Sequence, residues 1–362
     1  DVKTLSVRTL NVGGTVEWSG TGSLLVASDL SIITIYDGGI YDIQKSPFNG
    51  NFLVQILHRK LAAVELVAYH DLDTAAERVV ALGDIAIAPS DTLQVWAGTG
   101  EEDSRNSISP GGGIYKSTDG GDSWMKVESP GWPTGTLGRI GLAISQSNPN
   151  IMYALVEAEA TEEDAAPSGL YRSSDGGASW EKTSSNNVRP FYYSQVRVDP
   201  MDPDRVYWSS TPVNVTDDGG FTVGTTTNGI HVDHHAMWID PADPERMVTG
   251  NDGGIGITFD KGGNWLFPNV IAVGQFYEVS YGMEVPYTVC GGLQDNGSWC
   301  GPSRVRQGGI SNYMWKTVGG GDGFYTLQDP VRPEIVYSES QGGSMGRRDI
   351  LTGERMSFPK PG

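Results

Sequence analysis

Ser117-Thr-Asp119-Gly-Gly-Asp-Ser123-Trp124 is the stretch that decides the fold, because related stretches recur along the chain. A second copy is Ser173-Ser-Asp175-Gly-Gly-Ala-Ser179-Trp180. A looser copy is Thr258-Phe-Asp260-Lys-Gly-Gly-Asn264-Trp265, and Thr216-Asp-Asp218-Gly-Gly-Phe-Thr-Val223 has lost its Trp. The four aspartates are 56, 43 and 42 residues apart. A period in this range, about 40–50 residues, predicts a repeat architecture of four-stranded propeller blades.

The chemistry of the pattern is that of a hairpin turn. The aspartate accepts hydrogen bonds from backbone N–H groups of its own turn, and the glycine pair supplies positive φ angles. The Ser or Thr bonds back onto the loop, and the Trp anchors the returning strand between neighbouring sheets. The pattern therefore predicts structural aspartates rather than catalytic ones.

The pattern resembles the Asp-box of bacterial neuraminidase-type repeats, which also occurs in sortilin-like propellers and two-propeller xyloglucanases. In those families the box lies on the blade rim, away from the ligand. The resemblance implies a structural role for four residues: Asp119, Asp175, Asp218 and Asp260.

A second repeat carries the same period. Units of apolar strand, Pro-containing turn and apolar strand have prolines at 89, 149, 200, 241, 286 and 330, which are 60, 51, 41, 45 and 44 residues apart. Such units are strand–turn–strand. We expect six blades between residues 82 and 358. The predicted fold class is an all-β propeller of four-stranded blades. We expect seven blades, within a range from six to eight.

The first 81 residues fit the repeat less well. Strands are expected at 23–27, 32–36, 52–57 and 63–69, and a short helix at 72–82. We predict one propeller domain overall, in which residues 1–81 form one or two irregular blades and residues 82–362 form the regular ones. The alternative is a shorter propeller joined to an unrelated N-terminal piece.

The net charge of the chain limits the classes of partner that it is expected to bind. Lys and Arg number 25 against 44 Asp and Glu, which gives a net charge of −19. This field repels nucleic acid and anionic membranes, and no apolar run approaches the ~20 residues of a membrane helix. We expect no nucleic-acid partner, no membrane insertion, and export to an extracellular or periplasmic setting.

One basic patch is open to two interpretations, a surface role or ligand binding. It comprises Arg304, Arg306, Arg347, Arg348 and Arg355.

The two cysteines, Cys290 and Cys300, flank an expected hairpin turn at 295–297. Cysteines on opposite arms pair if the register allows, and a disulfide would support export. Two free buried thiols are the alternative. The spacing does not fit a zinc site, since no second Cys or His pair accompanies them.

Polar residues follow the second strand of several blades at matching positions. Because equivalent positions are related by the propeller axis, these side chains are expected to converge on one rim or channel mouth. For any one of these residues taken alone, the alternative is a role in forming the turn. The residues are Glu101, Glu157, Asn251, Asp252, Gln294, Asp295 and Asn296.

Loops between blades add a second group. Three of the five histidines fall in the stretch His231-Val-Asp233-His234-His235, and Asp322 lies in a glycine-rich loop further on. His and Asp at this density bind a metal, act as a general base, or tie blades together; these alternatives stay open. The sequence specifies no particular cofactor, and Ca²⁺ or another divalent cation stays open. Stacking aromatics are expected at Tyr192, Tyr277 and Trp299.

Four motifs in order resemble a large bacterial family usually labelled glycosyl hydrolase of the neuraminidase-repeat or sortilin/xyloglucanase-like type. The resemblance covers residues 82–358 and implies an exported propeller that acts on or binds carbohydrate, often followed by a second propeller. Residues 1–80 do not resemble the family's usual opening. The motifs are His231-Val-Asp-His-His-Ala-Met-Trp238, Asn251-Asp-Gly-Gly254, Gly292-Leu-Gln-Asp-Asn-Gly-Ser-Trp299 and Gly319-Gly-Gly-Asp-Gly-Phe324.

Two functions of different classes follow, and the sequence leaves catalysis open. The first is a glycan-active enzyme: a hydrolase with paired carboxylates among Asp252, Asp295 and Asp322, or a lyase with His234 or His235 as base. The second is a sortilin-like module that holds a protein or peptide without catalysis. The expected partner is accordingly a polysaccharide or oligosaccharide, or a protein or peptide, with a second propeller or partner subunit also open.

Overall fold

The computed structural model describes residues 82–101, 110–162, 164–268, 271, 273–306 and 308–359, together with the backbone of five strands in the N-terminal part. These strands form a three-stranded sheet, β1–β4–β5, and a two-stranded sheet, β2–β3. The strand expected at 63–69 and the helix expected at 72–82 lie outside the described residues, except Leu82, which is in a strand. The N-terminal strands are β1 (Thr15–Val16), β2 (Leu24–Ala27), β3 (Ile32–Ile35), β4 (Ile40–Lys45) and β5 (Phe52–Leu57).

Six further sheets, called blades 1 to 6, follow in chain order, and in each of them consecutive strands are hydrogen-bonded neighbours. Blade 1 has β6 (Leu82–Ile87), β7 (Val95–Thr99), β8 (Ile114–Ser117) and β9 (Met125–Val127). Blade 2 has β10 (Leu137–Ile144), β11 (Met152–Ala158), β12 (Gly169–Ser173) and β13 (Glu181–Ser184). Blade 3 has β14 (Val196–Val198), β15 (Val206–Trp208), β16 (Asn214–Thr216) and β17 (Gly224–Thr225).

Blade 4 has three strands, β18 (His234–Ile239), β19 (Met247–Asn251) and β20 (Gly254–Thr258), and a single bridge from Ile257 to Leu266 stands in the place of a fourth. Blade 5 has β21 (Phe276–Tyr281), β22 (Thr288–Leu293), β23 (Gly297–Pro302) and β24 (Lys316–Gly319). Blade 6 has β25 (Gly323–Gln328), β26 (Ile335–Ser340), β27 (Ser344–Asp349) and β28 (Arg355–Ser357). Two one-turn 3₁₀ helices lie at Asn312–Met314 and Gln341–Gly343.

The predicted fold class is confirmed, because antiparallel sheets in simple up-and-down order are propeller blades. Six blades in the described part lie within the predicted range of six to eight. The assignment of residues 1–81 to irregular blades stays a prediction. Among the described residues, the structure contains no helix of the length and apolarity that a membrane crossing requires.

The chain divides into two compact units. Unit 1 comprises residues 1–226 and 238–244, and unit 2 comprises residues 227–237 and 245–362. Blades 1 to 3 therefore belong to unit 1, and blades 5 and 6 with most of blade 4 belong to unit 2. Each unit is described by itself below.

The core of unit 1 follows the two-residue period of a strand. In β11, Met152, Ala154 and Val156 join an apolar cluster with Trp96 of blade 1. The alternate residues Tyr153 and Leu155 join a second cluster with blade 3, which includes Trp208. One strand thus supplies both faces of its blade with apolar side chains, which explains its continuous apolar sequence.

The recurring aspartates make the turns expected from their pattern. Each accepts a hydrogen bond of 2.7 to 2.8 Å from the Ser or Thr two residues before it, and one of 2.8 to 2.9 Å from the backbone N–H four residues after it. The side chain and the backbone N–H of the residue four positions later, followed by the Ser or Thr hydroxyl, lower the pKa of the carboxyls of Asp175, Asp218 and Asp260 to about 2, and lower that of Asp119 as well. Gly177 shows why glycine is needed: its φ is +85°, and an added Cβ would lie 2.4 Å from the Trp96 ring.

The two cysteines of unit 2 form a disulfide between β22 and β23, where they are direct cross-strand partners. Both are buried, and they pack with Val318, Val336 and Ile350 in the core between blades 5 and 6. The disulfide therefore crosses the centre of blade 5 and closes the hairpin that carries Asp295.

Candidate functional site

Four aspartates of unit 2 lie in loops at the ends of inner strands, and we call them the carboxylate cluster. Asp233 precedes β18, Asp252 lies in the turn between β19 and β20, Asp295 lies in the turn between β22 and β23, and Asp322 lies just before β25. Their charges act on one another, since those of Asp252, Asp322 and Asp233 all raise the pKa of Asp295. The expected convergence of Asp252, Asp295 and Asp322 is therefore present within this unit.

Asp295 and Asp322 form the closest pair of the cluster. The backbone N–H of Asp295 donates to Asp322 Oδ1 at 2.6 Å, and Gln341 Nε2 donates to Asp322 Oδ2 at 2.6 Å. Both oxygens of Asp322 thus accept an N–H donor, whereas Asp295 is the member of the pair whose pKa is raised.

The environment of Asp295 favours its protonated form. Burial is the largest cause, followed by the charges of Asp252 and Asp322 and the hydrogen bond to Asp322, and together they raise the pKa of Asp295 to about 6. Like charges that share a site raise one pKa strongly. Asp295 also adopts a left-handed backbone with φ +57°, which Asp tolerates better than most residues.

Histidines flank the cluster. His235 Nε2 lies 3.1 Å from Asp252 Oδ1. His231 links two loops, because its Nε2 lies 3.0 Å from the backbone carbonyl oxygen of Asp295 and its Nδ1 lies 3.1 Å from that of Val232. Both ring nitrogens contact backbone carbonyl oxygens, so His231 fixes the position of the Asp295 loop.

The two asparagines predicted to bind ligand serve the loops that carry the aspartates. Asn251 Nδ2 donates to the carbonyl oxygen of His231 at 3.0 Å, and Asn251 Oδ1 accepts from the N–H of Gly253 at 3.0 Å. Asn296 Nδ2 donates to the carbonyl oxygens of Asp252 at 2.8 Å and Gln294 at 3.0 Å. The observed contacts of both side chains thus hold the carboxylate cluster in place.

Gln294 and Trp299 lie in the same hairpin of blade 5. The backbone N–H of Gln294 donates to the carbonyl oxygen of Gln275, and its side chain is half-buried. Trp299 Nε1 donates to the carbonyl oxygen of Asn296 at 2.6 Å. The indole therefore braces the turn that holds Asp295.

An aromatic pair lies beside the cluster. Tyr277 stacks on Phe324 with a centroid distance of 5.2 Å and an interplanar angle of 12°. Tyr277 is 42% exposed. Burial raises the pKa of its hydroxyl, and so do the charges of Asp322 and Asp295.

His234 differs from its neighbours because it is buried. It is 1% exposed, and its Nδ1 lies 2.9 Å from Thr249 Oγ1. Thr249 donates its hydroxyl proton to the carbonyl of Ala236, so Nδ1 must be the donor to Thr249. Burial lowers the pKa of His234 to about 4 and keeps the ring neutral near pH 7. This environment favours a structural role over contact with a substrate.

Three further candidates lie in unit 1. Glu101 is buried at the end of blade 1. Glu157 accepts from the backbone N–H of Arg139 at 3.1 Å, and burial raises its pKa. Tyr192 stacks under Arg189, whose guanidinium carbon is 4.2 Å from the ring centroid. These residues are positioned by contacts within unit 1 and are not grouped with the carboxylate cluster.

No metal centre is evident in the part of the chain that the structure describes, where no group of three or more His, Cys, Asp or Glu side chains is arranged to hold an ion. The loops that carry the carboxylate cluster are instead linked by hydrogen bonds.

No protein-family model matches the sequence, and no curated protein sequence matches it either. Among solved structures, the GH74 xyloglucanase from Xanthomonas campestris aligns with 77% of this chain at 13% identity and a TM-score of 0.40. YCF48 from Cyanidioschyzon merolae aligns with 77% at 14% identity and a TM-score of 0.37, and YCF48 bound to D1 peptide aligns with 77% at 10% identity and a TM-score of 0.38.

These likenesses concern the fold alone. The alignments cover 45% of the xyloglucanase and 85% and 82% of the two YCF48 chains, so this chain spans less than half the length of the enzyme. They carry no argument about activity.

Sequence reasoning left several residues of the site without a role. Asp233 and Phe324 lie inside stretches that it singled out, but the pattern does not tell which member of a stretch faces its neighbours. The register of each strand and the position of each turn supply that information.

Proposed function

We propose that this chain is an exported propeller protein that hydrolyses glycosidic bonds in a polysaccharide or oligosaccharide, with Asp295 as the proton donor. The observation that carries the proposal is the pKa of Asp295, raised to about 6 by burial and by neighbouring carboxylates. Hydrolysis of a glycosidic bond needs one carboxylic acid that is protonated near neutral pH and one that is ionised.

Asp252 supplies the second carboxylate in this proposal. Asp322 already accepts the backbone N–H of Asp295 with one oxygen and the side chain of Gln341 with the other. Asp252 acts on Asp295 through its charge and is oriented by His235 at 3.1 Å. In the reaction, Asp295 protonates the leaving oxygen while Asp252 activates a water molecule or attacks the sugar carbon directly.

The aromatic pair supports a saccharide as the ligand. The exposed face of Tyr277 lies close to Asp295 and Asp322, and Phe324 behind it fixes the ring. A flat apolar surface next to carboxyl groups suits the apolar face of a sugar ring, whose hydroxyls then meet polar partners.

The disulfide between Cys290 and Cys300 supports export, since such bonds persist in oxidising compartments. The net charge of −19 is consistent with this setting. The extracellular or periplasmic location is part of the proposal.

Release of reducing ends from a panel of neutral and acidic polysaccharides tests the proposal. We expect activity in the native chain and a loss of about 10²-fold or more in Asp295→Asn and Asp252→Asn. Glu278→Gln, which changes an exposed carboxyl on β21 in the same unit, serves as the matched control and should retain activity. Full activity in folded Asp295→Asn would overturn the assignment of the acid.

A second candidate function, binding of a basic peptide segment, rests on a specific observation. Four neighbouring aspartates make the cluster negatively charged, and Tyr277 offers a ring face to a guanidinium or ammonium group. This function predicts that no reducing ends are released. It predicts instead that an arginine-rich peptide binds, that salt weakens this binding, and that Asp252→Asn weakens it as well.

A further inference from the structure

A cavity of about 330 Å³ lies between blades 5 and 6, apart from the carboxylate cluster. Strand β24 forms one wall and strands β26 to β28 form the other. Small residues line it where two sheets usually interlock, among them Gly319, Ser338, Ser340 and Gly346. The gap exists because these side chains are too small to fill the space between the sheets.

The strand register shows which side chains of blade 6 face this gap. In β27, Arg348 is the cross-strand partner of Val336 on one side and of Arg355 on the other. Val336 packs against Val318 of blade 5, so the face that carries Val336 is turned toward blade 5. Directly paired residues share a face, and therefore Arg348 and Arg355 both lie on the cavity side.

Arg347 lies on the opposite face, although its backbone also borders the cavity. Its cross-strand partners are Tyr337 and Met356, and its Nη2 lies 3.9 Å from Glu354 Oε1. The acidic residue of the lining, Glu339, alternates with Ser338 and Ser340 and so shares the face of Arg347. The cavity side of blade 6 thus carries two cations and no carboxylate.

The two cavity arginines lack an ionic partner. Arg348 Nη1 donates to the carbonyl oxygen of Thr317 at 2.5 Å, which holds the guanidinium against the wall of blade 5. Within the residues that the structure describes, neither Arg348 nor Arg355 forms a salt bridge. Like charges directly opposite on adjacent strands are destabilising. Two such cations without a carboxylate are unexpected in a chain with 44 acidic and 25 basic residues.

We propose that this cavity binds the oxyanion of an acidic sugar, either a uronate carboxylate or a sulfate ester. Two adjacent guanidinium groups match the planar or tetrahedral oxygens of such an anion and would be neutralised by it. The hydroxyls of Ser338, Ser340 and Ser344 in the lining suit a ligand that carries several hydroxyl groups. The volume is that of a small-molecule site, at the low end of the usual range.

The chain connects this cavity to the carboxylate cluster. Gly319 and Gly320 line the cavity and lead to Asp322, and Ser340 lines it and leads to Gln341. The proposal itself concerns binding and stands whether or not the cluster is catalytic.

Isothermal titration of the full chain tests the proposal with four probes: glucuronate, glucose 6-sulfate, neutral glucose and inorganic sulfate. We expect one of the two acidic sugars to bind and glucose not to bind, and the stronger of the two identifies the anion. Each of Arg348→Gln and Arg355→Gln should weaken that binding about tenfold or more, because each loses a charge-assisted hydrogen bond. The matched control, Arg347→Gln, should bind within about twofold of the native chain.

Three outcomes would overturn the proposal. The first is that neither acidic sugar binds, and the second is that Arg355→Gln leaves the binding unchanged. The third is that inorganic sulfate binds as tightly as glucose 6-sulfate, which would mean that the sugar is not recognised. Arg355→Gln is the variant that keeps the test decisive if Arg348→Gln fails to fold, since the Arg355 side chain is exposed and makes no hydrogen bond or salt bridge among the described residues. Shifts of the Gly319 and Gly346 amide resonances on titration locate the ligand in this cavity independently of the variants.

Discussion

The backbone N–H of Asp295 donates a hydrogen bond of 2.6 Å to Oδ1 of Asp322. This single contact joins the hairpin of blade 5 to the loop that enters blade 6. It also engages Oδ1 of Asp322 as an acceptor, and Gln341 engages Oδ2. Asp295 differs from Asp322, because burial and the charges of Asp252, Asp322 and Asp233 raise its pKa.

The first prediction concerns stability against pH. The pKa of Asp295 is about 6 in the folded chain and near 4 when unfolded, so its contribution to stability is complete below pH 4 and is lost as pH rises through 6. The full shift corresponds to about 3 kcal/mol, and solvent screening of a partly exposed group reduces the expected loss to about 1 kcal/mol. Urea unfolding from pH 4.5 to 7.5 should show this loss in the native chain relative to Asp295→Asn.

The comparison with Asp295→Asn is needed because His234 acts in the opposite direction. Its pKa is about 4 in the folded chain, below the unfolded value of 6.5, so its contribution to stability is lost as pH falls through this window. The difference between the two proteins cancels that effect. Parallel pH profiles of the native chain and Asp295→Asn would contradict the raised pKa.

The second prediction concerns the core between blades 2 and 3. Leu155 is fully buried there, on the face of β11 turned toward Trp208. Leu155→Ala should lower the free energy of unfolding by about 2–5 kcal/mol, the cost of a cavity in a packed core. Met125→Ala, at a side chain that is 66% exposed, should change it by less than about 0.5 kcal/mol. Equal effects in chemical denaturation would show that the blade interface is misplaced.

The third prediction concerns the disulfide. Cys290 and Cys300 close a short loop across blade 5, and reduction should lower the free energy of unfolding by about 2–3 kcal/mol. Thermal unfolding with and without a reductant measures the difference, with free thiols counted by mass spectrometry. The double variant Cys290→Ala/Cys300→Ala is the control and should not respond to reductant. A melting temperature that is unchanged by complete reduction would exclude a stabilising role.

The fourth prediction concerns the aromatic platform. Tyr277→Ala removes the exposed ring of the Tyr277–Phe324 stack and should raise KM or Kd for an active saccharide by about tenfold, with a smaller effect on kcat. Tyr277→Phe keeps the stacking surface and should retain most of the affinity. A loss in Tyr277→Phe equal to that in Tyr277→Ala would assign the effect to the hydroxyl group instead.

Much of this structure could be predicted from local patterns, since the turn around Asp175 and the strands on either side of Pro149 and Pro200 depend on short-range chemistry. The convergence of Asp252 and Asp295 could be predicted as well, because repeats place equivalent residues on equivalent loops. Which carboxyl holds the proton could not be predicted, since it depends on an N–H from Asp295 itself and on Gln341 of another blade.

Which face of a strand each side chain occupies could not be predicted from the sequence either. Arg347 and Arg348 are neighbours in a basic stretch, yet one pairs with Glu354 and the other faces a cavity. His234 and His235 differ in the same way, one buried against Thr249 and the other beside Asp252. A shift by one residue exchanges the two faces of a strand, and the sequence alone does not fix that shift.

The most direct test of the central claim is the titration of the Asp295 carboxyl by ¹³C NMR, with the resonance assigned by its absence in Asp295→Asn. The account predicts a midpoint at a pH of about 6, which moves to lower pH in Asp252→Asn because a neighbouring negative charge is removed. A midpoint near 4 in the native chain, unchanged in Asp252→Asn, would contradict it.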